Sequence, residues 1–346
     1  MAVKNAFTFL LVLLWGNLFA QYAPGAGQAG TTAVAADSSA IVAWATSCSV
    51  VRGYINIEDT SQTYTHGNIT SNRAFFGVQE NAVGPTGDSV TVVSLGDGGI
   101  ATLGFKNPIT NGDGYDFAVF ENGFLSQTNP DLYYLELAFV EVSTDGKHFV
   151  RFPSVSNTQD SVQIGGFGVL NPTYIHNLAG KYVARYGTPF DLQDLKDSVG
   201  INIDSINYIR VVDVVGDVNP AFARYDSKGN FINDPYPTPY WTGGFDLDAV
   251  AVIHQKTVLD VLDYKNQRYI WKLFPNPVST TVKISTLKLG KPYHLVVLSL
   301  NGKIVYEKKG IDKEIDISVA NWPAGIYIVK IIQNINISIL KMSVIH

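Results

Sequence analysis

Two carboxylates stand two residues apart in the segment Gly244-Phe245-Asp246-Leu247-Asp248-Ala249-Val250-Ala251-Val252. As a strand, the segment alternates Phe245, Leu247, Ala249 and Ala251 on one face with Asp246, Asp248, Val250 and Val252 on the other. Acids that share a face with valines need partners, because a buried, unpaired carboxylate is costly and keeps its proton instead. Carboxylate oxygens, together with backbone carbonyls of Gly-rich turns, are hard ligands that suit Ca²⁺. The spacing therefore predicts a structural calcium site on Asp246 or Asp248, with help from Asp97, Asp113, Asp116 or Glu121. The competing role for these acids is to cap turns and to pair with Arg210 or backbone N–H groups.

A second group of residues is aromatic. Phe222 to Trp241 places Tyr225, Tyr236, Tyr240 and Trp241 among Gly, Pro, Asp and Asn with little periodicity. Long irregular loops of this kind are often functional, and flat rings in a polar loop suit sugars or other flat ligands. The four rings are the expected ligand surface; the alternative is that they fold back over a sheet edge. Catalytic patterns are scarce. The histidines at 66, 148, 176, 254, 294 and 346 show no H-x-x-x-H zinc spacing, and neither a G-x-S-x-G elbow nor a phosphate-binding loop occurs. Acid pairs for a glycosidase arise by chance in a chain of this size. Binding is thus favoured over catalysis, with a glycosidase-like hydrolase or an adhesion protein as the rivals.

The elements that must carry these residues are strands. Hydrophobic residues make up 46% of the chain and charged residues 16%, with 31 Gly, 18 Tyr and 18 Phe, the mix of short strands joined by tight turns. Apolar runs at 89–94, 100–105, 117–120, 135–143, 206–215 and 246–253 alternate with Gly-rich turns, and a single weak helical pattern covers 189–196. This predicts an all-β fold with a large jelly-roll-like sandwich over residues 21–254. A polar stretch at 255–270 reads as a linker, and 271–346 as a small Ig-like sandwich. A net charge of -5 argues against a nucleic-acid surface. The lone Cys48 excludes an internal disulfide and sits beside an apolar run as a small core residue. Lys4, the short apolar run Phe7 to Trp15 and small residues near Ala20 predict a signal peptide over 1–20, and no later stretch reads as a transmembrane helix.

Three C-terminal blocks carry a resemblance. Leu273-Phe274-Pro275-Asn276-Pro277, Leu298-Ser299-Leu300-Asn301-Gly302-Lys303 and Ala324-Gly325-Ile326-Tyr327-Ile328-Val329-Lys330 resemble the type A sorting domain of the type IX (Por) secretion system. Pro275, Asn276 and Pro277 match its opening, Gly302 its hairpin, Gly325 and Tyr327 its late strand; Asn334-Ile335-Asn336 departs from the usual basic turn. The resemblance implies export through the type IX translocon, then removal of the domain by a sortase-like machinery with anchoring or release outside the cell. Residues 94–99, 116–123, 140–146 and 244–250 are similar to a group of bacterial cell-surface proteins, and Val140 to Gly146 resembles a hairpin of galactose-binding-like jelly rolls. The expectation is a secreted or surface protein that captures a glycan or small nutrient ligand through a calcium-stabilised sandwich.

Overall fold

A computed structural model describes residues 22–87, 90–256, 271–286, 292–333 and 336–346. The predicted signal peptide and most of the predicted linker lie outside these residues. The chain divides into two compact units on either side of Val258. Both are all-β, and no helix among the described residues is long and apolar enough to cross a membrane.

The strands of the first unit's two main sheets are β1 (Val34–Ala35), β2 (Ala43–Trp44), β3 (Ser47–Val51), β4 (Val93–Ser94), β5 (Ile100–Ile109), β6 (Phe117–Glu121), β7 (Ala138–Ser143), β8 (Val150–Arg151), β9 (Tyr186–Phe190), β10 (Ile206–Asp213) and β11 (Asp246–Val252). One sheet runs β1-β9-β6-β11-β2, with β4 on the far end of β11, and the other runs β8-β7-β10-β5-β3. All these pairings are antiparallel, which gives a jelly-roll-like sandwich. Alternation makes each inner face. On β10, Ile209 and Val211 are buried while Tyr208 is exposed and Arg210 is half-buried. Leu103, Val119, Val140, Ile209 and Val211 meet between the sheets. The rings of Phe117, Phe152 and Phe190 close one end of this core, with centroids 5.0 to 5.8 Å apart.

Two sequence expectations are corrected here. The run 189–196 is not a helix: Pro189 and Phe190 end β9, and only Leu192–Leu195 forms a 3₁₀ turn, capped by Asp191. Arg210 partners Glu141 on the neighbouring strand at 3.2 Å, where Arg151 also binds at 2.8 Å, and so is not a partner of Asp246.

The second unit contains β12 (Trp271–Phe274), β13 (Thr281–Thr286), β14 (Tyr293–Ser299), β15 (Ile304–Gly310), β16 (Glu314–Ser318), β17 (Gly325–Gln333) and β18 (Asn336–Val344). They form sheets β12-β13-β16 and β15-β14-β17-β18, a small Ig-like sandwich around Trp271, Ile284, Leu295, Val297, Ile317 and Val329. Asn301-Gly302 turns the β14–β15 hairpin, with Gly302 at φ 82°. The Asn276 amide clamps the first loop to the last strand: its Nδ2 donates to the Lys341 carbonyl and its Oδ1 accepts from Ser343 N–H, each at 2.8 Å. The Tyr327 hydroxyl donates to the Pro323 carbonyl at 2.8 Å.

Glycine is required where three backbones of the first unit meet. A Cβ on Gly244, at φ 71°, would lie 2.7 to 2.8 Å from backbone atoms of Gly96, whereas Gly229, at φ 85°, faces open space. Gly229→Ala is expected to cost the ~1–2 kcal/mol of a left-handed residue, and Gly244→Ala clearly more. Urea unfolding midpoints of the two variants check this; equal losses would mean that the close approach carries no energetic weight.

Candidate ligand-binding site

The site begins with a break in the alternation of β11. Leu247 pairs with Glu121 of β6 but Ala249 pairs with Phe120, so Asp248 is an extra residue, a β-bulge. The bulge re-aims the second half of the strand. Val250 and Val252 join Phe245 and Leu247 in the main core, while Ala249 and Ala251 pack outward with Ala118 and Phe120 against Ile41 and Trp44. The expected face shared by Asp246, Asp248, Val250 and Val252 therefore does not exist. Asp246 keeps its place at the end of the strand, where its carboxylate accepts from the Ser94 hydroxyl and, at 3.1 Å, from the Asn122 amide. Asp248 accepts from Gly87 N–H at 3.4 Å.

Beside Asp246 opens a cleft of about 450 Å³, lined by Asn122, Gly123, Phe124, Tyr134, Glu136, Phe167, Ala184, Thr242 and Asp246. Glu121 lies within electrostatic reach of Asp246, Glu136 and Tyr134. Burial pushes all three carboxyls up, and their mutual repulsion pushes Glu121 and Glu136 higher still; Asp246 is raised to about 6. The Glu121 Oε2 accepts from Gly123 N–H at 2.7 Å, while its buried Oε1 has no hydrogen-bond partner. Burial raises Tyr134 as well, with the nearby Glu136, to which it is hydrogen-bonded, adding to the shift. Arg52 is the compensating cation nearest Asp246. Its guanidinium is already committed to the Phe76 carbonyl at 2.9 Å, the Gly77 carbonyl at 2.7 Å and the Ser94 carbonyl.

Aromatic rings continue outward from the cleft as a row. Phe124 stacks on Tyr134 at 4.7 Å, Tyr134 meets Phe167 at 6.3 Å, Phe167 meets Tyr240 at 6.2 Å, and Tyr240 meets Tyr64 edge-on at 6.0 Å. Phe124, Phe167 and Tyr240 are 55%, 77% and 40% exposed, far more than such residues need for packing alone.

Of the four rings expected to bind ligand, Tyr240 alone belongs to this row. Tyr236 is buried, its hydroxyl donating to Asn56 Oδ1 at 3.2 Å. Tyr225 packs on Phe231 at 5.0 Å. Trp241 stacks on His66 at 3.7 Å and meets Phe76 edge-on at 4.9 Å, while its carbonyl accepts from the N–H groups of Phe75 and Phe76. It holds the loop down rather than presenting a face. Phe124, Tyr134, Glu136 and Phe167 escaped the sequence reading. A signal was present: Glu136 interrupts the apolar run Leu135-Glu136-Leu137, and Phe167 stands between Gly166 and Gly168.

The six predicted calcium ligands do not come together in one place. Asp113 is exposed in a turn. Asp116 is buried at the opposite end of β6 from Glu121, five strand steps or roughly 17 Å away. Its two oxygens accept from Gly112 N–H at 2.8 Å and Leu192 N–H at 2.7 Å, with His254 Nδ1 at 2.8 Å from the first. Asp97 belongs to another acid group, with Asp213 and Asp234, whose oxygens accept from Ile57, Gly98, Phe245 and Leu137 N–H groups at 2.7 to 2.8 Å. Glu121, Asp246 and Asp248 stay together, but among the described residues no three His, Cys, Asp or Glu side chains converge as metal ligands. Side-chain carboxylates alone therefore do not build the cage of oxygens expected of calcium.

Residues 272–346 match the secretion system C-terminal sorting domain family. This segment is a type IX sorting domain, and it marks the protein for export to the cell surface or beyond. No curated protein matches the chain. Among solved structures, the chain is similar to PorZ, a bacterial surface component of the type IX secretion system of Porphyromonas gingivalis, at 15% identity over 29% of this chain and 14% of that one, with a TM-score of 0.20. An immunoglobulin-like β-sandwich protein from Bacteroides vulgatus gives 19% identity over 21% of this chain and 80% of that one, at 0.19. A β-glucuronidase from Ruminococcus gnavus gives 12% over 72% of this chain and 38% of that one, at 0.20. The chain thus spans a small part of PorZ and under two fifths of the glucuronidase, and none of these likenesses bears on function.

The buried acids make a pH prediction. Asp97 is raised from 3.8 to about 7, chiefly by burial. The folded state therefore holds this proton where the unfolded chain has lost it, so stability falls as pH rises between these two values and levels off above. Asp97→Asn keeps an acceptor for Ile57 N–H and is expected to flatten the decline between pH 4 and pH 7, a span worth on the order of a few kcal/mol. Urea unfolding at pH 4.5 and 7.5 measures it; an unchanged slope would show that the proton is not held there.

Proposed function

We propose that the chain is a surface-displayed glycan-binding protein: a signal peptide at 1–20 leads it out, residues 21–254 bind an extended glycan, a linker spans 255–270, and 271–346 addresses it to the type IX translocon and its processing machinery. The row Phe124, Tyr134, Phe167, Tyr240 and Tyr64 carries this reading. The exposed rings of Phe124, Phe167 and Tyr240 offer flat apolar surface to the C–H faces of sugars, and the cleft at one end supplies polar groups that fix orientation. Glu136 and Asp246 in one cleft also permit a glycosidase pair. Both Asp246 oxygens are, however, engaged by Ser94 and Asn122, which suits a structural carboxyl better than a nucleophile or base.

Titration of the purified protein with the best oligosaccharide from a glycan array tests the reading. Phe124→Ala and Phe167→Ala are each expected to weaken binding about tenfold, or ~1.4 kcal/mol, without changing the melting temperature. Trp241→Ala is expected instead to lower the melting temperature, since that ring packs inward. Unchanged affinity in both Phe variants would remove the row from the site. EDTA in place of Ca²⁺ is expected to leave binding and melting unchanged; a loss of either on chelation would reinstate a calcium site at the Glu121–Asp246–Asp248 end.

A further inference from the structure

The cleft at the end of the aromatic row is electrically one-sided. Its lining includes the carboxyls of Glu136 and Asp246 and no Lys, Arg or His. Glu121 adds a third carboxyl within reach of both, 1% exposed and with one oxygen that no donor satisfies. The nearby cation, Arg52, spends its N–H groups on three backbone carbonyls. Asp213 and Asp234 also lie within electrostatic reach of Glu136 and make its charged form still more expensive. Around this acidic floor stand the rings of Phe124, Tyr134 and Phe167.

We propose that the cleft is a receptor for an organic ammonium group, and hence that the bound glycan is an amine-bearing polymer of the glucosamine type. The glycan half rests on the function proposed above; the ammonium half rests on the cleft alone. Carboxyls and aromatic rings lining one cleft supply the two attractions a desolvated ammonium needs, an opposite charge and a π-system. A metal ion needs several oxygens at one point, which the described residues do not bring together. A neutral sugar does nothing to relieve the cost of charging these buried carboxyls. An ammonium makes their charged forms favourable, so its binding expels protons. Asp246, which faces Glu136, Glu121, Arg52, Ser94 and Asn122, and Glu136, which faces Asp246, Glu121, Asp234, Asp213 and Tyr134, are the groups that release them.

Isothermal titration of the full exported protein at pH 6 with glucosamine hexamer, N-acetylglucosamine hexamer and cellohexaose tests this. The amine-bearing hexamer is expected to bind at least tenfold more tightly than either neutral one, with proton release seen as a buffer-dependent heat. Glu136→Gln is expected to reduce that preference at least fivefold, weakening the amine-bearing hexamer more than either neutral one. Should this variant fail to fold, the three hexamers on the native chain decide the matter by themselves. Equal affinity for all three would overturn the ammonium site and leave the glycan reading standing. Binding of 2-phenylethylammonium but not 2-phenylethanol, with no hexamer bound, would support the ammonium site and overturn the glycan reading. No binding of any of these probes would overturn both.

Discussion

The pairing of β11 with β6 governs the first unit, and the extra residue at Asp248 is what makes that pairing workable. A strand with strict alternation would have to send Val250 and Val252 to the face that carries Asp246. The sheet would then lose two apolar side chains from its inner face or bury an acid among them. Inserting one residue changes the phase midway. Phe245, Leu247, Val250 and Val252 all reach the main core, and Asp246 is left at the strand end, where Ser94 and Asn122 supply donors. The same shift sends Ala249 and Ala251 outward, and their small size lets the N-terminal segment with Ile41 and Trp44 lie close over the sheet.

Burying this many acids in one region requires compensation, and the compensation is mostly backbone. Gly123 N–H serves Glu121, Leu137 N–H serves Asp234, Gly98 and Phe245 N–H groups serve Asp213, and Ile57 N–H serves Asp97. Such donors lower the cost of a buried carboxyl without supplying a full positive charge. They also explain the glycines. Gly53, Gly96 and Gly244 let three chain segments pack so closely that side chains have no room. The acids thus have one set of partners in the fold and little freedom to turn toward a common ion. Two buried carboxyl oxygens are left without a donor among the described residues, Asp217 Oδ2 and Glu121 Oε1, the latter behind the cleft.

These features were unequally legible in the sequence. Asn301-Gly302 and the Pro275-Asn276-Pro277 opening act through local conformation, so their positions declare them, and the alternation of β10 declares its inner face. The all-β class comes from the same short-range signals. The bulge at Asp248 was hidden because it depends on how β11 meets β6, and no residue type marks it. The aromatic loop 222–241 misled for a related reason: ring composition shows that faces must be placed somewhere, but not which of them turn inward. Tyr236 found a donor target in Asn56 and Trp241 found His66 and Phe76, partners far away in the chain. Phe124 and Tyr134, in contrast, meet across a short strand pair, where Tyr134 lies opposite Phe124.

The sorting domain and the first unit each have a core of their own. The sorting unit is held by a hydrophobic cluster of its own, around Trp271, Leu295, Val297 and Val329, and this cluster shares no residue with the one that holds β5, β6, β7, β10 and β11. Every residue of the acid-floored cleft and of the aromatic row precedes Val258. Loss of the C-terminal unit therefore removes no residue from the sandwich's core cluster and no group from the cleft. The core, the cleft geometry and its electrostatics all arise within residues that the sorting domain does not contain.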